Sequence, residues 1–447
     1  MTFHRLTFAA IMENGQAQDI GGQTQDVEKG QTQDAEKGQA QDPTQGQAHK
    51  HGADLLSKGH IIVMAICTGL IVANIYYCQP LIVLISKGFH LPESRVGSIA
   101  FFTQAGYALG LLFFVPLGDK VERKRQILWM TGCAVAALIF AALSPNLLSL
   151  QIASLLIGAT SIIPQLILPL AAHLASPART GKVIGGIMSG LLIGILLSRT
   201  LSGFIGVWLG WRGMFWVAAG LSFVMLLVMR GTFPVSQPGF TGSYASLMRS
   251  LAALVREQPL LREAALISAL AFSTFGMFWT TMVLHLSGPP FNFQSNLIGL
   301  FGLAAAAGAL AAPLVGGSAD KRNARIPIGY GIGLLFLSFI LFYIWDYSVI
   351  GLIAGIILLD LAMQCIHVSN QSRIYALLPA ARNRLNTVYM TVSFMGTSLG
   401  SAIGLMVWDK ANWKGVCVAG MIIGAAAFLV YAGTYKASSR PPKLTNY

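Results

Sequence analysis

From His60 onward the chain reads as one apolar stretch after another, each of roughly 18 to 25 residues and each closed by a short polar loop. Rising about 1.5 Å per residue, such a stretch crosses a hydrocarbon core of about 30 Å as a helix. Inside a bilayer only helices and closed barrels satisfy their backbone, and continuous apolarity without a period of two selects helices. The stretches fall near 60-86, 96-117, 127-144, 147-173, 183-207, 213-230, 264-286, 296-316, 326-345, 348-372, 387-408 and 413-434. Composition agrees: 54% of residues are hydrophobic and 11% charged, whereas a water-facing surface needs about a quarter charged. The predicted fold is an all-α membrane protein with twelve transmembrane helices.

A net charge of +13 raises nucleic acid as a partner, so the placement of the basic residues matters. They alternate by loop. Nineteen Lys and Arg lie in the loops after even-numbered spans and in the C-terminal tail, against five (Lys87, Arg95, Arg212, Lys410, Lys414) in the opposite loops. By the positive-inside rule both termini are cytoplasmic, which gives a multi-pass protein of the plasma (inner) membrane. Nucleic-acid binding would need those charges gathered on one soluble surface, and no soluble domain is legible. The expected partners are therefore the lipid bilayer and a small-molecule substrate, with the chain acting as a monomer.

Residues 1-57 differ from everything that follows. They repeat Gly-Gln-Ala/Thr-Gln-Asp with Gly22, Gly30, Gly38 and Gly46 eight apart, too polar to bury area against the entropy of ordering, which predicts a disordered cytoplasmic N-terminal tail. The start, Met1 to Met12, lacks the continuous apolar core of a signal peptide. Beyond the tail the sequence repeats itself: Trp211-Arg212-Gly213 returns as Trp413-Lys414-Gly415, Pro177-Ala178 as Pro379-Ala380 and Gly194 as Gly396, all at an offset of 202. Six spans separate the copies, so the halves share one orientation and are related by an axis along the membrane normal. This divides the chain into a six-helix bundle over 58-230, a cytoplasmic linker over 231-262, a second bundle over 263-435 and a short tail over 436-447. In the linker Leu247, Leu251, Leu254 and Val255 share one face of an amphipathic helix expected to lie on the membrane interface. The five cysteines, Cys67, Cys78, Cys133, Cys365 and Cys417, have no ligand-like spacing and read as packing residues, with no metal site.

After span 2 the chain runs Leu117-Gly118-Asp119-Lys120-Val121-Glu122-Arg123-Lys124-Arg125, with a second copy at Gly317-Ser318-Ala319-Asp320-Lys321-Arg322. This loop resembles the cytoplasmic motif of the major facilitator superfamily, although Val115 and Glu122 stand where the motif usually has glycine. Ala73 to Pro80 and Gly210 to Trp216 resemble words of the bacterial drug and sugar efflux branch. The resemblance covers about residues 58-435 and implies two pseudo-symmetric six-helix bundles, the major facilitator fold, working by alternating access.

The residues themselves point to a polar path at mid-membrane. Arg199 sits deep in span 5, where an unpaired guanidinium costs about 2.5 to 3.5 kcal/mol or more, so it faces a cavity, a substrate with an anionic or carbonyl group, or a carboxylate; snorkelling to the outer interface is the alternative. Asp360, Gln364, His367 and Gln371 share a narrow stripe of span 10, placed to take up and release a coupling proton or to make interhelical hydrogen bonds. Span 1 offers Asn74, Tyr76, Tyr77 and Gln79 before Pro80, a bend suited to a substrate wall. Gln104 and Gln165 are further cavity candidates. Asp119, Arg123, Lys124 and Arg125, with Asp320 and Lys321 in the second copy, are the candidate cytoplasmic gate, their alternative being to set topology. The small residues Gly186, Gly190, Gly194, Ser198 and Ser202, repeated as Gly396, Gly400 and Gly404, assign spans 5 and 11 to the interface between halves.

No Gly-x4-Gly-Lys-Ser/Thr loop is present, which speaks against direct ATP drive. The expected function is secondary active, proton-coupled efflux of a drug, sugar or metabolite, with no cofactor and the proton gradient as energy source. Proton-coupled import of a sugar or organic anion is the rival. A non-transporting receptor would need a sizeable ligand domain, and an enzyme would need clustered catalytic groups at one depth; neither is legible.

Overall fold

A computed structural model describes residues 56–176, 179–236, 242–309, 325–378 and 381–434, and all regular structure among them is helical. The first half comprises α1 (Lys58–Ala73), α2 (Cys78–Phe89), α3 (Glu93–Leu117), α4 (Arg123–Ala142), α5 (Leu147–Thr160), α6 (Pro164–Leu174) and α7 (Thr180–Thr232). A linker helix α8 (Tyr244–Glu257) leads to α9 (Pro259–Ser287), α10 (Ser295–Ala309), α11 (Ile326–Ile344), α12 (Val349–Leu377) and α13 (Arg382–Gly433). Nine units among the described residues are long and apolar enough to cross a membrane. Two of them, α7 and α13, are double helices across a kink, which makes eleven crossings, and α10 is a shorter apolar helix where the twelfth span begins. Apolar side chains such as Trp129, Trp208, Ile350 and Leu429 are exposed on the outside of the bundle, as a lipid-facing surface requires. The tail through residue 55, the second half of span 8 after residue 309, and the candidate gate residues Asp320 and Lys321 lie outside the described residues.

Prolines decide where spans break. Pro80 has no N–H for the Tyr76 carbonyl, and span 1 is divided at residues 74–77 into α1 and α2. Pro164 divides span 4 into α5 and α6 in the same way. The kinks in α7 and α13 fall on Gly210 (φ 72°) and Asn412 (φ 52°), again 202 residues apart; glycine takes such a backbone freely, whereas asparagine holds it under strain of about 1–3 kcal/mol. The words that follow are anchored alike. Arg212 donates to the Ser144 carbonyl at 3.0 Å, and Lys414 lies 3.8 Å from the Asp346 carboxylate; 144 and 346 are also 202 apart.

The small-residue stripes do a different job from the one expected. A Cβ on Gly194 would stand 2.2 Å from the Gly69 carbonyl oxygen, and one on Gly400 would stand 1.9 Å from that of Ser273. The stripes thus seat span 5 on span 1 and span 11 on span 7, each inside its own half. Spans 5 and 11 do border the opposite half, through other faces: Thr200 donates to the Gly299 carbonyl at 3.0 Å, and Ser398 to the Phe101 carbonyl at 3.1 Å. Gly400→Val is expected to prise spans 7 and 11 apart, at a cost of about 1–3 kcal/mol or more. It should lower the thermal midpoint of purified protein in detergent, while Gly132→Val, with no atom within 4 Å, should leave it unchanged.

The linker helix buries Leu247, Leu251 and Leu254, while Val255 is exposed, so its apolar face is one residue narrower than expected. The Tyr244 hydroxyl donates to the Phe113 carbonyl at 2.8 Å, which docks α8 against the end of span 2. Of the cysteines, four are buried and Cys133 is exposed; all are free.

Candidate functional site

Arg199 lies in α7 where span 5 crosses the broken span 1, and it is 3% exposed, so snorkelling is excluded. Its Nε donates to Gln79 Oε1 at 2.9 Å. The guanidinium sits 4.7 Å from the Tyr76 ring centroid and 4.0 Å from that of Trp279, so rings from the two halves flank one cation. Ser202, three residues on, donates to the Tyr77 carbonyl at 2.6 Å and holds span 5 against the break. Span 8 closes in through glycine: a Cβ on Gly302 would meet the Arg199 side chain at 3.1 Å. Arg199 Nη2, however, is buried with no hydrogen-bond partner in the protein.

Asp360 approaches from the second half. It is 8% exposed and packs where Gly308 of span 8 leaves room, six residues along that helix from the Gly302 that borders Arg199. Asp360 Oδ2 also lacks a protein partner, as does the indole Nε1 of Trp279. A buried polar group left unmet costs about 1–3 kcal/mol. Donors on Arg199 and Trp279 and an acceptor on Asp360, at the contact between halves, therefore form a site able to bind a polar group from a solute.

The span 10 stripe points inward as expected but divides by depth. His367 Nδ1 lies 3.2 Å from the Tyr389 hydroxyl, and its ring meets Phe272 at 5.6 Å; it is two helical turns from Asp360, and the two bind different neighbours. Gln364 is half-buried between them. Gln371 donates to Asn386 Oδ1 at 3.1 Å, and Asn386 Nδ2 reaches Gln165 Oε1 of the first half at 3.4 Å. Gln165 and Gln371 thus join a bridge between halves, on the side of the Arg199–Asp360 site nearer the basic loops. Between bridge and site lie Tyr107 and Phe394, rings 4.4 Å apart.

The remaining candidates scatter. Asn74 donates to Ser222 Oγ at 3.4 Å, inside the first half. Tyr77 is buried in the hydrophobic core, and its neighbour Tyr76 is the one that meets Arg199. Gln104 is buried with Oε1 unmet. In the basic loop Asp119 pairs with Arg123 at 3.2 Å, and both line a small cavity of about 30 Å³ shared with Asn383 and Arg384 of span 11. The pair lies within one half. Lys124 and Arg125 make no ion pair among the described residues.

Sequence reasoning missed Trp279, Asn386 and Tyr389. A tryptophan in an apolar span and an asparagine near a span end carry no pattern that separates them from packing residues. It also missed a buried cluster at the basic-loop end of the second half, where Glu263 pairs with Arg325 at 3.2 Å and Arg373 at 3.3 Å. Charges close to span ends read as topology signals, which hid their mutual burial.

Two six-helix halves around a charged site at their contact define a membrane transporter fold. Comparison with known proteins agrees: the family model of the Major Facilitator Superfamily matches residues 64–363 and 264–446. The Escherichia coli O157:H7 uncharacterized transporter YgaY is 44% identical over 376 residues, 84% of this chain and 95% of that protein. A Helicobacter pylori protein (strain G27) called a probable sugar efflux transporter is 24% identical over 77% of this chain and 86% of its own length. Among solved structures, the nucleoside transporter NupG superposes with a TM-score of 0.69 at 14% identity, over 84% of this chain and 98% of that one. The chain belongs to the major facilitator superfamily and is a multi-pass membrane transporter of small molecules.

Proposed function

We propose that the chain exports a small organic solute across the plasma membrane in exchange for protons, by alternating access, with both termini cytoplasmic. The carrying observation is that Arg199 from one half and Asp360 from the other pack along the same helix, span 8, at Gly302 and Gly308, with Arg199 Nη2 and Asp360 Oδ2 unmet by protein. An ionised Asp360 attracts Arg199 across the interface and holds the halves together; a protonated one does not, so proton exchange at Asp360 changes the energy of separating them. A solute with a carbonyl, hydroxyl or anionic group can replace that attraction on Arg199 and Trp279. The bridge of Gln165, Asn386 and Gln371 and the Tyr107–Phe394 contact then form the barrier toward the cytoplasm. Export is supported by relatives called sugar efflux transporters. No cofactor enters this scheme; the proton gradient supplies the energy.

Import of a sugar or organic anion is the second reading, favoured by the cation at the centre. Inside-out membrane vesicles energised with lactate, carrying a fluorescent pH probe, distinguish the two when sugars, nucleosides and organic anions are added in turn. Export by proton exchange predicts that a transported solute discharges the acid interior and that Asp360→Asn removes the response. A solute accumulated by right-side-out vesicles alone, with protons moving the same way, would establish import instead.

A further inference from the structure

At the end opposite the basic loops a groove of about 750 Å³ opens between the two halves. Its rim carries one charge from each: Arg95, in the first turn of α3, and Asp409, three residues before the kink at Asn412. Both are exposed, and neither side chain makes an ion pair or hydrogen bond among the described residues. Other charges nearby are engaged or set aside: Glu93 accepts from Ser287 at 2.7 Å, Lys414 faces Asp346, and Lys410 does not line the groove. Leu148 and Met406 add apolar surface to the walls, and deeper in Phe101 and Leu405 form an apolar floor, about 6 to 9 Å below the rim at helical rise. Gln151 and Ser98 on the same wall hydrogen-bond to each other at 2.8 Å, which leaves the floor without a free polar demand.

Charge at the level where spans leave the bilayer and apolar surface beneath it match the anatomy of a lipid. The duplication sharpens the point. The positions 202 residues away, Leu297 and Val207, are apolar and 43% and 40% exposed at the other contact between halves. The charged rim therefore has no counterpart in the repeat; it belongs to this groove alone of the two. A cation and an anion on opposite walls match a ligand that is itself zwitterionic, and a carboxylate favours an ammonium that still has N–H donors over a quaternary one that has none.

We propose that this groove is a binding site for a phospholipid with a primary-amine headgroup, its phosphate on Arg95, its ammonium on Asp409 and an acyl chain along Phe101, Leu405 and Met406. Because each half supplies one wall, the bound lipid bridges spans 2 and 11 and has to slide or leave when they separate. The site stands on the fold and is independent of the coupling scheme above.

The test uses the purified full-length chain, stripped of lipid in detergent and titrated with dioleoyl phosphatidylethanolamine, phosphatidylcholine or phosphatidylglycerol under native mass spectrometry. Phosphatidylethanolamine is expected to bind most tightly, and Arg95→Gln or Asp409→Asn to weaken it by about five-fold, the scale of one partly exposed charge contact. Asp409→Lys should move the preference to phosphatidylglycerol, a gain that misfolding cannot imitate. Equal binding of the three lipids, binding of none, or a ranking unmoved by these variants would overturn the proposal. So would a dimer that Asp409→Asn dissociates, since a second copy of the chain would then occupy the groove.

Discussion

Arg199→Ala is expected to bring transport in proteoliposomes down by about 100-fold or more, because removing one member of a buried charge network costs about 3–5 kcal/mol. The side chain does three things at once. It holds Gln79 at 2.9 Å, fills the space between Tyr76 and Trp279, and packs against Gly302 of span 8. Arg199→Lys keeps the charge and loses the planar fork, so it should bind solute weakly but still turn over. If Arg199 recognises solute charge, the alanine variant should lose anionic solutes more than neutral ones. An equal loss for both classes would confine the residue to holding the halves together.

Asp360→Asn should separate binding from coupling. The amide keeps the size of the carboxyl and its fit beside Gly308, so expression and solute binding should persist. Exchange of labelled for unlabelled solute without a gradient should continue, whereas accumulation driven by a pH gradient should fall to background. A variant that still concentrates solute against its gradient would remove Asp360 from the proton path and turn attention to His367, whose ring stacks near Tyr389.

The twelve spans and their duplication were readable because hydrocarbon imposes one rule on every residue of a span, and because Trp211 and Trp413 preserve the repeat in short conserved-looking words. Arg199 and Asp360 were readable for the same reason: a charge in an apolar run has to be explained by what surrounds it. What surrounds it was not readable. Trp279 lies eighty residues from Arg199 and looks like any large apolar side chain in a span, and nothing local chooses Tyr76 over Tyr77 to face the cation; the break at Pro80 sets that angle. The glycine stripes show the same limit. Their spacing reveals that a neighbour comes close, yet only packing tells that the neighbours are Gly69 and Ser273 within each half. Loop charges mislead in the other direction, since Glu263, Arg325 and Arg373 look solvated and are buried together.

The two copies have ceased to be interchangeable. The counterpart of Arg199 is Ser401, tied to Thr280 at 3.0 Å, and the counterpart of Asp360 is Gly158, pressed against the Thr103 carbonyl where a Cβ would stand 2.0 Å away. A molecule assembled from two first halves would bring together a pair of arginines without a counter-ion, and one built from two second halves a pair of aspartates. Whatever ancestor joined like to like, the present centre exists only as a heterologous pairing, with each copy holding the charge that its twin has no room or partner for.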